Sequence, residues 1–529
     1  MKKNILIILS LFSPLLPAQT EQQSIELPDF VITGRQNITV PVAAKRKPDF
    51  IPTLSSDFFT PQFAPDELPL LISSEPVPVR PKIKPFDDYL NGSLRIQAGR
   101  YVLPEGELNL TKAFGNYLLS ARAWGSNITE YIPNAGYNNS GISLNNDFFL
   151  STKSDFLPGA IIKAGAEYSR DSYRLFASGT PAFKRETNTA SAGASISSSY
   201  NRWINFGLDI RGNILSLLEN GLKETNISSN GLFEFKQNNF TVGAKGTFIK
   251  QILDNSLSGS GGDNYYSASG YLKLFPSREI NIALGINYSS NSSNSFFSPF
   301  GSVSFAVNKG LTISAEFNPH AKYYSVNDFI KGNIYFNTGI TDNVFMKYKT
   351  DINALLRYEY EKQISVSLTA GYASIDNYFY YNDAVNPGKF DLNILQGVKS
   401  LTGGINLLFN TTGFGHFTGD IIYKDVKSQT DQPVPYEPKI SASLGYRYDF
   451  IKGAGISLRY SSFYDIFTAL LPANKLGNYS NLSVAVNYEI LNGLKLTADF
   501  QNILNRTNFV WKNYQEKPFD LLLGIEYNW

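Results

Sequence analysis

The sequence predicts an all-β fold, a large antiparallel transmembrane β-barrel that follows an extended, proline-rich N-terminal segment. Three observations lead to this fold class. A secretory leader opens the chain, apolar and polar residues alternate with a period of two over most of its length, and the last strand has an apolar face that ends on Trp529. Because only helix bundles and closed barrels satisfy the backbone inside lipid, apolar strand faces on an exported chain favour a barrel.

Residues 1–18 have the organisation of a secretory signal peptide. Lys2 and Lys3 precede a mostly apolar run from Ile5 to Leu16, and Pro17-Ala18-Gln19 offers a cleavage point after Ala18. A membrane anchor helix is the alternative interpretation, but the run is shorter than the roughly 20 residues that a span needs. The leader therefore predicts an exported protein.

Residues 19–90 form a second segment that is rich in proline, with prolines recurring from Pro28 to Pro85. Proline lacks an amide donor and disfavours helical geometry in the residue before it. We therefore expect an extended, irregular segment and not an independent domain. Within it, the β-prone run Phe30-Val31-Ile32 could add a strand to the sheet edge of a partner protein.

Residues 91–529 have the alternation of membrane-crossing strands. Ile440, Ala442 and Leu444 alternate with Ser441 and Ser443, and similar rows recur along the chain. Tight turns alternate with longer connections, as in barrels whose short turns are periplasmic. The longer connections are 127–139, 254–263, 320–349, 382–392, 465–478 and 504–518. This spacing predicts about 22 strands, within a range of roughly 18 to 22, and an even number places both termini in the periplasm. A soluble propeller or solenoid is the alternative, but no repeat of fixed period stands out.

Aromatic residues predict where the barrel meets the membrane surfaces, because tyrosine and tryptophan favour the interface. The outer belt is expected at Tyr378, Tyr380 and Tyr381, and the inner belt at Tyr446, Tyr448, Tyr488 and Tyr527.

The composition excludes several classes of function. Charged residues make up 17% of the 529 residues and the formal net charge is +2, so the basic excess of a nucleic-acid-binding protein is missing. Without cysteine, disulfides, thiolate metal sites and cysteine nucleophiles are excluded. His320 and His416 are the only histidines and are expected at opposite rims, whereas a barrel hydrolase needs a histidine base beside its nucleophile. No enzyme activity, cofactor or metal is predicted.

The last strands resemble those of a known family. Gly524, Tyr527 and Trp529 match the C-terminal signal read by the bacterial barrel assembly machinery, although Leu522 stands where that signal usually has a polar residue. Upstream, residues 498–506 (ADFQNILNR) resemble the penultimate strand and turn of TonB-dependent receptors, whose barrels have about 22 strands.

Residues 26–35 (ELPDFVITGR) resemble a TonB box, the short segment through which such receptors engage TonB. The matching residues are Asp29, Phe30, Val31, Ile32, Thr33 and Gly34. The family's folded plug domain has no visible counterpart, since only residues 36–90 separate the box from the barrel. We hypothesise that this interval folds back into the lumen or lies across its periplasmic mouth, where its cations could meet inward-facing acids; a solvated periplasmic tether is the alternative. The acids are Glu489, Asp499, Asp520 and Glu526.

The resemblance implies an outer-membrane protein that takes up a small solute, whose identity the residues do not reveal. The expected partners are outer-membrane lipid, the barrel assembly machinery, TonB through residues 26–35, and a small-molecule ligand, with no role for nucleic acid. A passive porin-like channel and a structural barrel that holds a partner protein are the alternatives.

Overall fold

The computed structural model describes residues 86–529, except 155–156, 256–258, 309, 339–342, 362, 384, 386, 412, 452 and 472–473. The predicted signal peptide, the TonB-box-like residues 26–35 and the rest of the proline-rich segment up to residue 85 lie outside the described residues. Their assignments stay predictions.

The described chain consists almost entirely of strands. In the first half these are β1 (Phe86–Ala98), β2 (Val102–Gly115), β3 (Tyr117–Ile128), β4 (Tyr137–Phe149), β5 (Ile161–Arg174), β6 (Lys184–Ser198), β7 (Ile204–Leu217), β8 (Leu222–Lys236), β9 (Phe240–Asn255), β10 (Gly259–Leu274), β11 (Ile280–Ser290), β12 (Ser295–Ala306), β13 (Leu311–Phe317) and β14 (His320–Tyr324).

A short helix, α1 (Val326–Gly332), separates these strands from the second half. The later strands are β15 (Val344–Tyr360), β16 (Ile364–Asp376), β17 (Tyr378–Asn382), β18 (Asp391–Leu395), β19 (Val398–Thr411), β20 (Gly415–Lys427), β21 (Ile440–Ile451), β22 (Ala454–Tyr464), β23 (Tyr479–Leu491), β24 (Leu494–Gln501), β25 (Phe509–Trp511), β26 (Tyr514–Gln515) and β27 (Asp520–Asn528). Among the residues described, no helix combines the length and hydrophobicity that crossing a bilayer requires.

Within the described part of the chain, these strands form a closed antiparallel barrel of 22 strands. Strands β13 and β14 both pair with β15 and are two halves of one barrel strand. The barrel closes where β1 pairs with β27, from Ser93 opposite Asn528 to Ala98 opposite Leu523. The hairpins β17–β18 and β25–β26 are separate two-stranded sheets in the connections. The fold class and the strand number predicted from the sequence are confirmed.

The period-two pattern explains which face of each strand points outward. On β27, Leu523, Ile525 and Tyr527 are exposed large apolar side chains, while Glu526 lies opposite Arg95 in the register. Successive side chains of a strand point to opposite faces. Because similar exposed apolar rows occur on strands all around the ring, the barrel presents an apolar outer surface and a polar lumen, as a membrane barrel does.

The two rims of the barrel differ. At one, the turn rim, most connections are tight; at the other, the loop rim, lie the long connections 325–343, 377–397, 428–439, 465–478 and 502–519. Strand β1 begins at Phe86, upstream of residue 91 where the alternation suggested a start. Phe86 and Trp529 both lie at the turn rim, as an even number of strands requires.

Two expectations about the loop rim are wrong. The stretch 254–263 is not a long loop, because Gly259–Gly262 belong to β10 and pair with β9. Tyr378, Tyr380 and Tyr381 are not an outer aromatic belt, because they lie on the loop hairpin β17–β18. Tyr378 and Tyr381 belong instead to a buried apolar core that the loop-rim connections build together. Of the two buried apolar cores among the described residues, the larger therefore lies at the loop rim.

Candidate functional site: the lumen and its loop-side mouth

The lumen wall is polar and nearly balanced in charge. On β6 the inward positions are Thr187, Thr189, Ser191 and Ser195, opposite Asp171 and Glu167 of β5 among others. Small hydroxyl side chains offer hydrogen bonds to a solute without giving the wall a strongly positive or negative electrostatic potential. None of the described elements forms a separate domain inside the barrel.

Several ion pairs lie at the seam where β24, β27, β1, β2 and β3 meet. Its ion pairs are Arg95–Asp499, Arg122–Glu107 (2.8 Å), Lys517–Asp520 (3.0 Å) and Lys495–Glu526 (3.8 Å). Asp499, Asp520 and Glu526 are among the acids that we expected to face cations of the N-terminal segment. Each has a cation of the barrel itself as partner, so these acids do not need cations from residues 36–90.

Five aromatic residues from four connections meet at the loop-side mouth. We call Tyr335, Phe390, Tyr436, Trp511 and Tyr514 the aromatic cluster. The rings of Tyr335 and Tyr514 stack with centroids 3.4 Å apart. The ring centroid of Trp511 lies 5.0 Å from that of Phe390 and 4.7 Å from that of Tyr436. Since these residues come from 325–343, 377–397, 428–439 and 502–519, the cluster joins connections that enter the mouth from different strands.

The tyrosines of the aromatic cluster are neutral in this environment. Burial raises the pKa of Tyr335 well above its usual value, and burial likewise raises the pKa values of Tyr436 and Tyr514. The hydroxyl of Tyr514 donates to the carbonyl oxygen of Gly388, whereas that of Tyr335 has no hydrogen-bond partner among the described residues. The cluster is thus an uncharged, tightly packed contact, suited to hold loops together and not to perform acid–base chemistry.

Gly388 shows how closely the loops approach one another. Its φ of +76° lies in the left-handed region, and a Cβ atom there would be 2.3 Å from the carbonyl oxygen of Ala177. Ala177 belongs to the connection between β5 and β6, so the 377–397 connection touches a loop from a distant part of the ring.

The predicted C-terminal residues lie at the seam. Gly524 is opposite Gln97 of β1 and Thr497 of β24, and a Cβ atom there would be 2.5 Å from the carbonyl oxygen of Ile96. The rings of Tyr527 and Trp529 stack with centroids 5.3 Å apart. Their proposed role as an assembly signal stays a prediction, but close packing alone already requires glycine at position 524.

The two histidines are separated in the structure. His320 is on β14, where its Nδ1 lies 2.8 Å from the carbonyl oxygen of Asn318 and its ring stacks on Tyr348 at 4.6 Å. His416 is on β20 near the turn rim, opposite Asn410. In the described residues, no group of three or more His, Cys, Asp or Glu side chains is placed to hold a metal ion.

The aromatic cluster is the feature that sequence reasoning missed. Its members stand far apart in the chain and lie in connections without a regular pattern. The only signal was the density of aromatic residues in the long connections, such as Tyr335-Phe336, which does not reveal a partner.

Fold and lumen together define a class: a large closed β-barrel of the outer-membrane type, with polar lumen and loop-filled mouth. No family model matches the chain, and no curated protein sequence matches it. Solved structures do. The copper transporter OprC is similar over 85% of this chain and 82% of its own, with a TM-score of 0.64 and 9% sequence identity.

Two further solved structures are similar to the same extent. The siderophore receptor PirA from Acinetobacter baumannii has a TM-score of 0.62 at 10% identity and covers 84% of this chain and 81% of its own. The FrpB iron transporter from Neisseria meningitidis has a TM-score of 0.63 at 10% identity, with 84% and 82% covered. The fold is therefore that of TonB-dependent receptor barrels, as the C-terminal resemblance led us to expect.

Proposed function

We propose that this chain takes up a small solute across the bacterial outer membrane, with TonB engaging residues 29–34. The observation that carries the proposal is the likeness of the whole barrel to solved structures described as a copper transporter, a siderophore receptor and an iron transporter. A polar lumen of this width suits a hydrated solute or a metal complex. The balanced charges of its wall favour neither anions nor cations.

The N-terminal segment enters the barrel wall from the turn rim. Strand β1 begins at the turn rim, so the preceding chain joins the wall from that side. If the turn rim faces the periplasm, Asp29–Gly34 lie on the side where TonB acts. Phe30, Val31 and Ile32 would add a strand to a TonB sheet edge, and the pull would be transmitted along residues 35–85 to the barrel. At the other end of the chain, Gly524, Tyr527 and Trp529 would guide insertion by the barrel assembly machinery.

A single substitution tests the TonB contact. Val31→Pro removes a backbone N–H from the expected strand, and proline is poorly tolerated inside a sheet. We expect it to abolish capture of the detergent-purified protein by the immobilised periplasmic domain of TonB, as does deletion of residues 26–35. Val31→Thr keeps the N–H and the branched shape, and should bind like the parent chain. Equal capture of all four proteins would overturn the TonB assignment and leave the passive channel as the better reading.

A further inference from the structure

We propose that the loop-rim connections form the permeability barrier of this protein, and that residues 325–338, which we call the strap, move to open it. The strap comprises Ser325, helix α1 and the residues up to Thr338. This location of the barrier does not depend on whether TonB drives the opening or the barrel is a passive, gated channel.

Three distant sectors of the ring meet at one point above the lumen. The strap lies between the thirteenth and fourteenth barrel strands, Tyr173 is the penultimate residue of the fifth strand, and Tyr514 lies between the twenty-first and twenty-second strands. The ring centroid of Tyr335 is 6.2 Å from that of Tyr173 and 3.4 Å from that of Tyr514.

The size of the barrel turns this contact into a closure. With strands about 4.8 Å apart, 22 strands give a diameter of roughly 35 Å or more. Side chains from sectors about a third of the ring apart can touch only if their loops reach into the middle of the mouth. The aromatic cluster therefore lies across the opening and not along its edge.

The wall opposite the strap holds it through a buried charge. Nη1 of Arg185 on β6 donates to the carbonyl oxygens of Ile334 and Phe336 at 2.8 Å each. The hydroxyl of Tyr173 donates to the same carbonyl oxygen of Ile334 at 2.7 Å. Arg185 is itself buried and pairs with the carboxylate of Glu219, Nε to Oε1 at 2.6 Å. Hydrogen bonds from an ionised donor are stronger than neutral ones, so Arg185 acts as the latch of the strap.

Both ends of the strap are tied to the same side of the ring. The buried carboxylate of Glu224 on β8 accepts hydrogen bonds from the backbone N–H groups of Val326 at 3.1 Å and Asn327 at 2.8 Å, where helix α1 begins. Nδ2 of Asn220 donates to Oγ1 of Thr338 at 2.8 Å. The strap thus spans from its own strands, β14 and β15, to β5–β8.

The closed strap buries polar groups at an energetic cost. The hydroxyl of Tyr335 and Nδ2 of Asn333 are buried and have no hydrogen-bond partner among the described residues. Each such group destabilises the closed strap while it stays away from water. Opening the strap would hydrate both, whereas the hairpins β17–β18 and β25–β26 keep internal ladders of their own. Hydration of these two groups therefore offsets part of the free energy that opening the strap costs.

Single-channel conductance of the full-length protein in planar bilayers tests the proposal without TonB or a known solute. Replacing residues 326–338 by a Gly-Ser linker of equal length should raise the conductance at least tenfold. Arg185→Ala should raise the fraction of time spent open. Arg174→Ala is the matched control, because Arg174 is on the same hairpin but exposed and paired with Glu130, and it should leave the conductance unchanged.

A reversible crosslink tests the movement of the strap. Because the chain has no cysteine, the pair Asn220→Cys and Thr338→Cys forms the single possible disulfide. Oxidation should suppress opening events, and reduction should restore them. Heat-modifiable migration in SDS gels would show that each variant contains a folded barrel.

Deletion of residues 40–85 tests whether the N-terminal segment, and not the loops, blocks the lumen. If the loops form the barrier, the deleted protein stays as closed as the parent. High conductance after this deletion, or no rise after strap replacement, would overturn the proposal and place the barrier N-terminal to the barrel. Neither result depends on whether Val31→Pro affects TonB binding, so the two proposals fail separately.

Discussion

At the scale of single residues, the stacked pair Tyr335 and Tyr514 shows that two similar side chains in one contact need not contribute alike. Both rings are fully buried. The hydroxyl of Tyr514 binds the Gly388 carbonyl oxygen, whereas the Tyr335 hydroxyl has no partner among the described residues. Ring burial stabilises both positions, but only one hydroxyl contributes favourably.

Removing each hydroxyl should therefore have opposite effects. Tyr514→Phe leaves the Gly388 carbonyl oxygen without its donor and should destabilise the closed loops by about 1 kcal/mol. Tyr335→Phe removes an unsatisfied buried group and should leave them unchanged or more stable by a similar amount. Proteinase K cleavage of the loops in the detergent-solubilised protein measures this, with faster cleavage expected only for Tyr514→Phe. Equal acceleration by both variants would show that the Tyr335 hydroxyl is satisfied in solution.

The predictability of individual residues differs between the wall and the mouth. Gly524 and Tyr527 lie on the last barrel strand, and Trp529 directly follows it, as the sequence indicated. Tyr378 and Tyr381 were assigned to the wrong surroundings. An aromatic residue at the end of a strand is equally compatible with a membrane interface and with a loop core, and only the fold of the neighbouring loops decides between them.

At the scale of elements, the same distinction has a physical cause. A wall strand faces lipid on one side and a polar lumen on the other, so its sequence alternates and can be recognised. Helix α1 and hairpins β17–β18 and β25–β26 are surrounded by other loops, and nothing constrains their residues to alternate. Their contacts join residues as distant as Tyr335 and Tyr514, which a single sequence cannot pair.

The loop core should respond to alkaline pH as a unit. Burial raises the pKa values of Tyr335, Tyr378 and Tyr514, which all lie in loops outside the membrane-spanning strands. In opened loops these hydroxyls would ionise near pH 10, while the closed state keeps their protons. The closed state is therefore fully stable below pH 10 and loses about 1.4 kcal/mol per tyrosine for each pH unit above it.

Tyrosinate absorbance at 295 nm, followed together with proteinase K cleavage between pH 8 and 12, measures this response. A group of tyrosines should titrate later than the rest, and loop cleavage should accelerate as it does so. In the variant with the Gly-Ser strap, Tyr378 and Tyr514 should titrate closer to pH 10. A single transition near pH 10 in the parent protein would contradict the burial of these hydroxyls.

At the scale of the whole molecule, the barrel followed from a rule that applies everywhere in the chain. Lipid cannot form hydrogen bonds with the backbone, so membrane-spanning strands must pair with one another and close into a ring. The number of strands in the ring then follows from the number of turns in the sequence. The closed mouth does not follow from that rule. It depends on the particular shapes of several loops, and only their packing in three dimensions brings Arg185 under the carbonyl oxygens of the strap.

The tryptophans test the orientation of the whole barrel relative to lipid. Trp529 is exposed on the outer surface, Trp511 is buried among the loops, and Trp124 is on the inward face of β3, where its Nε1 donates to Asn139 at 2.9 Å. Three variants that each keep one of these tryptophans, with phenylalanine at the other tryptophan positions, can be reconstituted into vesicles of brominated phospholipid. Bromine atoms on the acyl chains quench indole fluorescence only at short range.

We expect strong quenching for the variant that keeps Trp529, and little for those that keep Trp124 or Trp511. Vesicles of unbrominated lipid give the reference intensity for each variant. Because alternate side chains of a strand point to opposite faces, quenching of Trp124 would mean that β3 faces lipid with its polar side. From Tyr117 to Ser126 the register joins β3 to both neighbouring strands without a shift, so that result would invert the assignment of lumen and lipid surfaces around the ring.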